Sequence, residues 1–201
     1  MKKNFLFLSL CFLIFFISCS RYGEAKKRYD NLPTTIECVK NPELLKKTIS
    51  ELDEIIGLAP DWWEPYHRKI GLISGFEDEK IDYDTDMEIV KVYESWAVIK
   101  DLDIQKNVAY ASHLEKIGEK EKSKNAIQKA WNDFNKMKKE KPKDWREEIY
   151  MFAGIYAGVA LGQITKENIS EYYYVAGRSP DMITALSDMV DHNPDAVFIW
   201  D

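Results

Sequence analysis

A chain of 201 residues with 28 basic and 34 acidic side chains, net charge −6, is too acidic overall to favour nucleic acid or a bulk electrostatic hold on anionic lipid. Hydrophobic residues make up 45% of it, which excludes wholesale disorder. Its cysteines, Cys11, Cys19 and Cys38, are too few and too unevenly placed for a disulfide framework, so stability has to come from packing.

The start of the chain reads as an address. Lys2 and Lys3 precede an apolar run from Phe5 to Ile17, the charged and hydrophobic regions of a secretory signal, too short to favour a permanent span. At its end Phe16-Ile17-Ser18-Cys19 resembles the bacterial lipobox, with Phe16 at a place where the pattern prefers leucine. The resemblance implies a signal peptide over residues 1–18, cleavage before Cys19, and lipid (palmitate-type acyl chains with a diacylglycerol thioether) on that residue. Two or three such chains hold a protein at a bilayer without a spanning helix. The alternatives are an ordinary signal cut nearby or an uncleaved anchor, with Cys19 only a small apolar residue. Residues 19–41 are expected to be the lipidated terminus and a flexible tether, since Gly23, Pro33 and Pro42 break a polar stretch without a sustained period.

From residue 42 to 201 the pattern predicts one all-α domain. Asn41-Pro42-Glu43 caps a helix with Leu44, Leu45, Ile49, Leu52, Ile55 and Ile56 at helical spacing, ending at Gly57. A second, from Trp62 to about Phe76, turns Trp63, Tyr66, Ile70 and Ile73 inward, with Pro65 tolerable in its first turn. An acidic loop over 77–86 leads to a third, opened by Thr85 and Glu88 as a capping box and facing Ile89, Val92, Trp96 and Ile99 inward. Residues 104–138 give the clearest signal, a helical hairpin. Val108, Ala111, Leu114 and Ile117 face Ala126, Ile127, Ala130, Trp131, Phe134 and Met137, with Gly118 as the stop between. Ile149 to Leu161 is apolar on nearly every side, predicting a central helix in which Gly154, Gly158 and Gly162 admit a neighbouring backbone. A membrane-inserted stretch over 149–163 is the alternative. A short helix with Tyr172, Tyr173 and Tyr174 follows. Then Ser179-Pro180-Asp181 opens a last one, with Met182, Ile183, Leu186, Met189 and Val190 inward and Ala196 to Trp200 docking on it.

A period of about forty residues runs through this. Pro60-x-x-Trp63 returns as Pro142-x-x-Trp145, and Leu102-Asp103 stands halfway between, so helix–turn–helix units start near 60, 103 and 142. Tyr110-Ala111-x2-Leu114, followed by Ser123-x3-Ile127 and Ala130, resembles the tetratricopeptide repeat, with Ala111 in its glycine place and Ser123 in the small-residue place where paired helices cross. The third unit departs most, with Ala157 where a tyrosine is expected. The resemblance implies stacked antiparallel helical hairpins, an α-solenoid of seven to eight helices, whose curvature offers a groove to a peptide or protein.

Chemistry is thinly represented. Asp82, Asp84, Asp86 and Glu88 alternate as calcium ligands do, but Met87 takes the obligatory glycine place and Tyr93 that of the bidentate glutamate, which excludes an EF-hand. His67, His113 and His192 lack a second ligand at metal spacing, and neither a nucleophile elbow nor a phosphate or dinucleotide loop occurs. The run from Lys136 to Lys143 reads as a solvated helix end. The sequence therefore implies no enzyme, no cofactor and no metal. Its densest aromatic cluster, Trp62, Trp63, Tyr66 and His67, with Tyr172 and Tyr173, could line a ligand or partner groove, although two adjacent tryptophans cannot both face inward from one regular helix. The expected function is a lipoprotein of the bacterial envelope, attached through its N-terminal lipid, whose helical domain is an interaction or assembly scaffold for an envelope protein or peptide. The competing reading is a small-molecule or glycan binding lipoprotein using Trp62, Trp63 and Tyr66.

Overall fold

The computed structural model describes residues 20–75, 85–137, 139–176 and 180–191. Among them regular structure is helical throughout, without strands. Residues 1–19, where a signal peptide and the lipidated Cys19 are expected, residues 76–84, His192 and residues 196–200 lie outside the described residues. The chain divides into two compact units, Met1–Lys100 and Asp101–Asp201.

The first unit corrects the tether. Residues 20–30 form a helix, α1, and Thr35–Val39 a second, α2, two more than the pattern predicted and both inside the supposed spacer. Tyr22, Ala25, Tyr29 and Leu32 recur along one side of the stretch, and Ala25 is fully buried with Ile55, Ala59 and Trp62. Helix α2 has a complete capping box. The Thr34 hydroxyl accepts from the Glu37 N–H, and the Glu37 carboxylate accepts from the Thr34 N–H at 2.7 Å. It delivers Cys38 into a core with Leu45, Leu52 and Leu72, where the thiol lies 3.4 Å from the Thr48 hydroxyl.

Helix α3, Pro42–Leu58, begins as expected on Asn41, whose side chain accepts from the Leu44 N–H at 3.2 Å. Helix α4, Trp63–Ser74, packs on it, and the buried Lys69 ammonium reaches Asp53 at 2.6 Å. Helix α5, Thr85–Ile99, packs on α4 through Ile89, Val92 and Trp96. Thr85 is already helical, so the cap position lies outside the described residues. Ile99, expected inward, is the last residue of the helix and is exposed.

In the second unit α6, Ile104–Lys116, and α7, Lys120–Lys136, form the predicted hairpin and make the most extensive helix contact among the described residues. Asp103 caps α6 by accepting from the Lys106 N–H at 2.9 Å. Gly118 takes φ +81°, which lets the Glu119 N–H reach the Leu114 carbonyl at 2.8 Å and its own N–H the Glu115 carbonyl at 3.0 Å. This is the paired bonding of a Schellman stop. Ala111 and Ser123 meet where the helices cross, the Ser123 hydroxyl donating to the Ala111 carbonyl at 2.9 Å.

Helix α8, Trp145–Ala160, lies on both members of the hairpin. A Cβ built on Gly154 would fall 2.3 Å from the Phe134 ring, and one on Gly158 would fall 2.6 Å from Trp131. What approaches α8 is therefore a pair of rings from α7, where the sequence suggested a backbone. Gly162 admits nothing close. At φ +65° it repeats the Schellman geometry, with Gln163 N–H on the Gly158 carbonyl at 2.8 Å. No helix among the described residues is long and apolar enough to cross a membrane. The tyrosine segment is a 3-10 helix, Ile169–Ala176, in place of the second α-helix that a third hairpin would need. Helix α9, Pro180–Asp191, packs on it and on α8 through Leu186 and Met189, while Ile183, expected inward, is exposed.

The glycines give opposite expectations. Gly71→Ala, on open helix surface, should stabilise by about 0.5–1 kcal/mol, since it removes only backbone freedom. Gly154→Ala should destabilise by about 1–3 kcal/mol as Phe134 is displaced. Urea midpoints of the two variants should move in opposite directions; a higher midpoint for Gly154→Ala would contradict the close contact.

Candidate functional site

The predicted aromatic set resolves into packing elements, each described within its own unit. Trp62 precedes α4 as its N-cap residue, outside the helical phase, and is buried (9% exposed) between Tyr22 and Tyr29, whose ring centres lie 5.5 and 4.8 Å away. The Lys26 ammonium sits 5.9 Å from the same indole. Tyr66 stacks on Trp96 at 5.5 Å, and its hydroxyl is buried with no hydrogen-bond partner among the described residues. Burial, with the Asp61 charge behind it, pushes that phenol above its ordinary range. Trp63, predicted inward, is 46% exposed beside His67, ring to ring at 5.9 Å, on the outer side of α4.

In the second unit Tyr172 is buried between Trp131 and Phe134, both at 6.3 Å, with the Lys139 ammonium 5.6 Å from its ring. Its phenol is also raised, by burial and then by Glu171. Tyr173 is half-buried, its hydroxyl 3.5 Å from that of Ser187. Of the five rings proposed for a groove, Trp63 and Tyr173 are those that still meet solvent appreciably. The seams took the others because a ring covers more neighbouring apolar surface than any aliphatic side chain of a short helix.

Other candidates are placed as follows. His113 is buried in α6, and His67 is exposed. Asp82 and Asp84 lie outside the described residues, and among the described residues no group of three His, Cys, Asp or Glu side chains could hold a metal ion. Tyr150 reaches Asp103 at 3.5 Å, and its phenol is raised by burial, then by that carboxylate. This contact fastens α8 to the cap of α6.

A site that the sequence reading missed lies in the first unit. Between α1 and α3 opens a cleft of about 560 Å³, with Leu32, Pro33 and Leu44 along its apolar part and Lys27, Lys47 and Glu51 among its charged residues. One side is fixed by Arg28, which reaches from α1 to Glu51 at 2.6 Å and also to Glu54. Arg68 bonds the Pro33 carbonyl and lies 5.2 Å from the Tyr29 ring, bracing the segment after α1. The Thr34-x-x-Glu37 capping box was the available sequence signal for order here. The cleft can hold an apolar or amphiphilic segment by contact and charge; its lining contains no paired nucleophile and base. No protein-family model, curated protein or solved structure matches the chain.

The hydrogen bond from Arg28 holds the Glu51 carboxyl below the usual carboxylate range. A depressed folded-state value means that the contribution is present above about pH 4.3 and lost as pH falls through the folded value. Protection of α1 amides, corrected for intrinsic exchange, should therefore fall as the solution is acidified below that point. Arg28→Ala should weaken α1 docking by about 0.5–1 kcal/mol and flatten the pH dependence. Unchanged acid sensitivity in the variant would show that another group is responsible.

Proposed function

We propose that this chain is an exported lipoprotein of the bacterial envelope, anchored by acyl chains on Cys19, whose helical domain is a scaffold for a protein or peptide partner. The observation that carries the scaffold reading is the α6–α7 hairpin. Its small residues Ala111 and Ser123 meet at the helix crossing, and α8 stacks on both helices, as successive tetratricopeptide-type units would. Support for the address comes from Lys2, Lys3, the apolar run and Phe16-Ile17-Ser18-Cys19. A binding module needs surface apolar groups that its own core has not used. Trp63 on α4 and Val98 on α5, 86% exposed, supply them in the first unit. The glycan-binding reading is weaker in this fold, because Trp62 and Tyr66 are already covered.

Two measurements test the reading separately. Cells fed a labelled fatty acid should incorporate it into the wild-type chain and not into Cys19→Ala, and the variant should leave the membrane fraction on mild washing. Equal labelling of both would sink the anchor. For the scaffold, a photo-crosslinking residue placed at Trp63 should give one discrete protein adduct in intact cells, and the same residue at the buried Leu52 should give none. A smear shared by both positions would count against a defined partner.

A further inference from the structure

Helix α1 is attached to the first unit over a narrow strip. Of its eleven residues, 20–30, Ala25 is the only buried one; Arg28 and Tyr29 are half-buried, and the other eight are exposed. By contrast α3 buries Leu45, Thr48, Leu52 and Ile55 along its length. One methyl group and the flank of one phenol ring therefore carry most of the apolar hold of α1, in the cluster of Ile55, Ala59 and Trp62. The polar hold is the fork from Arg28, whose acceptors are a half-buried Glu51 and an exposed Glu54. Ion pairs so placed contribute little, because water and salt screen them. Glu24, Lys27 and Asn31 of the same stretch line the cleft of about 560 Å³, open space where a fully docked helix would be packed. Gly23 weakens the helix further, since it costs backbone entropy and offers no side chain to pack.

The chain changes character at Pro33. Arg68, from α4, holds the Pro33 carbonyl, Thr34 and Glu37 close the capping box of α2, and Cys38 is fully buried with Leu45, Leu52 and Leu72. The buried members of that core come from α2, α3 and α4, and the half-buried Tyr29 and Leu32 only touch it from outside. We propose that residues 20–32 are a releasable strap, which leaves the first unit as one body about the Leu32–Pro33 link while α2, α3 and α4 stay folded. A helix of this length is marginal by itself in water, so the released segment unwinds. Release breaks Arg28 from Glu51 and Glu54 and uncovers Ile55, Ala59 and the Trp62 indole. On the lipid-anchor reading the freed residues become a tether of up to about 40 Å, at ~3.3 Å per residue. Only that use rests on the anchor; the opening does not.

The test compares two buried thiols in one full-length molecule. Ala25 and Cys38 are both 0% exposed, so a maleimide reaches the thiol of Ala25→Cys, or that of Cys38, only when the fold opens. Labelling is read by peptide mass spectrometry, each rate being divided by its value in the urea-unfolded chain. The introduced thiol should react about tenfold or more faster than Cys38, as an element that opens before the rest of its unit does. In that background Arg28→Ala should speed the introduced thiol by about two- to fivefold. Gly23→Ala, where a Cβ meets nothing within 4 Å, should slow it by about the same factor. Equal rates at the two thiols would overturn the strap, and so would an unchanged rate in Arg28→Ala, since the proposed opening breaks that contact. The added sulfur can itself loosen a packed helix, so hydrogen exchange of the unsubstituted chain is the second measurement. Amides of residues 25–30 should share one opening free energy, lower than that of the α3 amides around Leu52. Protection equal to that of α3 would overturn the strap. Protection rising steadily from residue 25 to 30 would do the same, because it marks fraying from an end. Absence of acyl label at Cys19 with the faster thiol reaction retained would reject the tether and keep the strap.

Discussion

Helices of twelve to seventeen residues, the lengths of α4 and α7, are marginal alone in water, and each persists here because a neighbour hides its apolar stripe. The tightest expression of this is on α8, which has no side chain at Gly154 and Gly158 so that Phe134 and Trp131 can lie on its backbone. Rings fill the seams of the first unit as well, with Trp62 between two tyrosines and Tyr66 against Trp96. The same demand explains why the molecule has few aromatics left for a ligand. Short helices need wide side chains to cover one another, and those side chains are then buried.

The hairpin at 104–138 was legible because its signals agree: two dense stripes, a glycine at the left-handed stop, and small residues at the crossing. Helix α1 was not, because its stripe of Tyr22, Ala25, Tyr29 and Leu32 consists of two amphipathic rings, one methyl group and a single leucine, separated by charges. Its steps of three, four and three residues have helical phase, but the stripe carries too little aliphatic bulk to stand out from the charges around it. Its burial depends on Trp62, some thirty residues away, and on the Arg28 fork to Glu51 and Glu54. The Trp62–Trp63 pair shows a different limit. Phase along a helix says that one of two neighbours faces out; it does not say that the helix starts between them. Ile99 and Ile183 keep the correct phase and are exposed all the same, because periodicity reports a side and not whether another element reaches it.

The unit expected to start near residue 142 does not form a helical hairpin. Its first helix is formed, capped by Asp144 and closed at Gly162, but the segment that should return alongside it is a 3-10 turn carrying Tyr172 into the α7–α8 seam. Eight residues of 3-10 helix present a narrower face than an α-helix of the same length, and the missing cover is supplied by α9. The expected forty-residue spacing thus meets paired helices at α4–α5 and α6–α7 and, among the described residues, no third pair, and α8 is covered instead by the 3-10 segment and α9.

Replacing the expected tether by folded helix changes what an anchor at Cys19 would do. Twenty-three residues of flexible chain, 19–41 of the sequence, could extend to about 75 Å at ~3.3 Å per residue and would let the domain sample a wide shell above the bilayer. With residues 20–30 and Thr35–Val39 helical and Ala25 buried, almost none of that slack exists between residues 20 and 41. On the proposed anchoring, acyl chains at Cys19 would pull directly on a helix held by Trp62 and Arg28. The first unit would then lie within a few residues' reach of the headgroups, and loosening the Arg28–Glu51 contact would become the means of lengthening the leash.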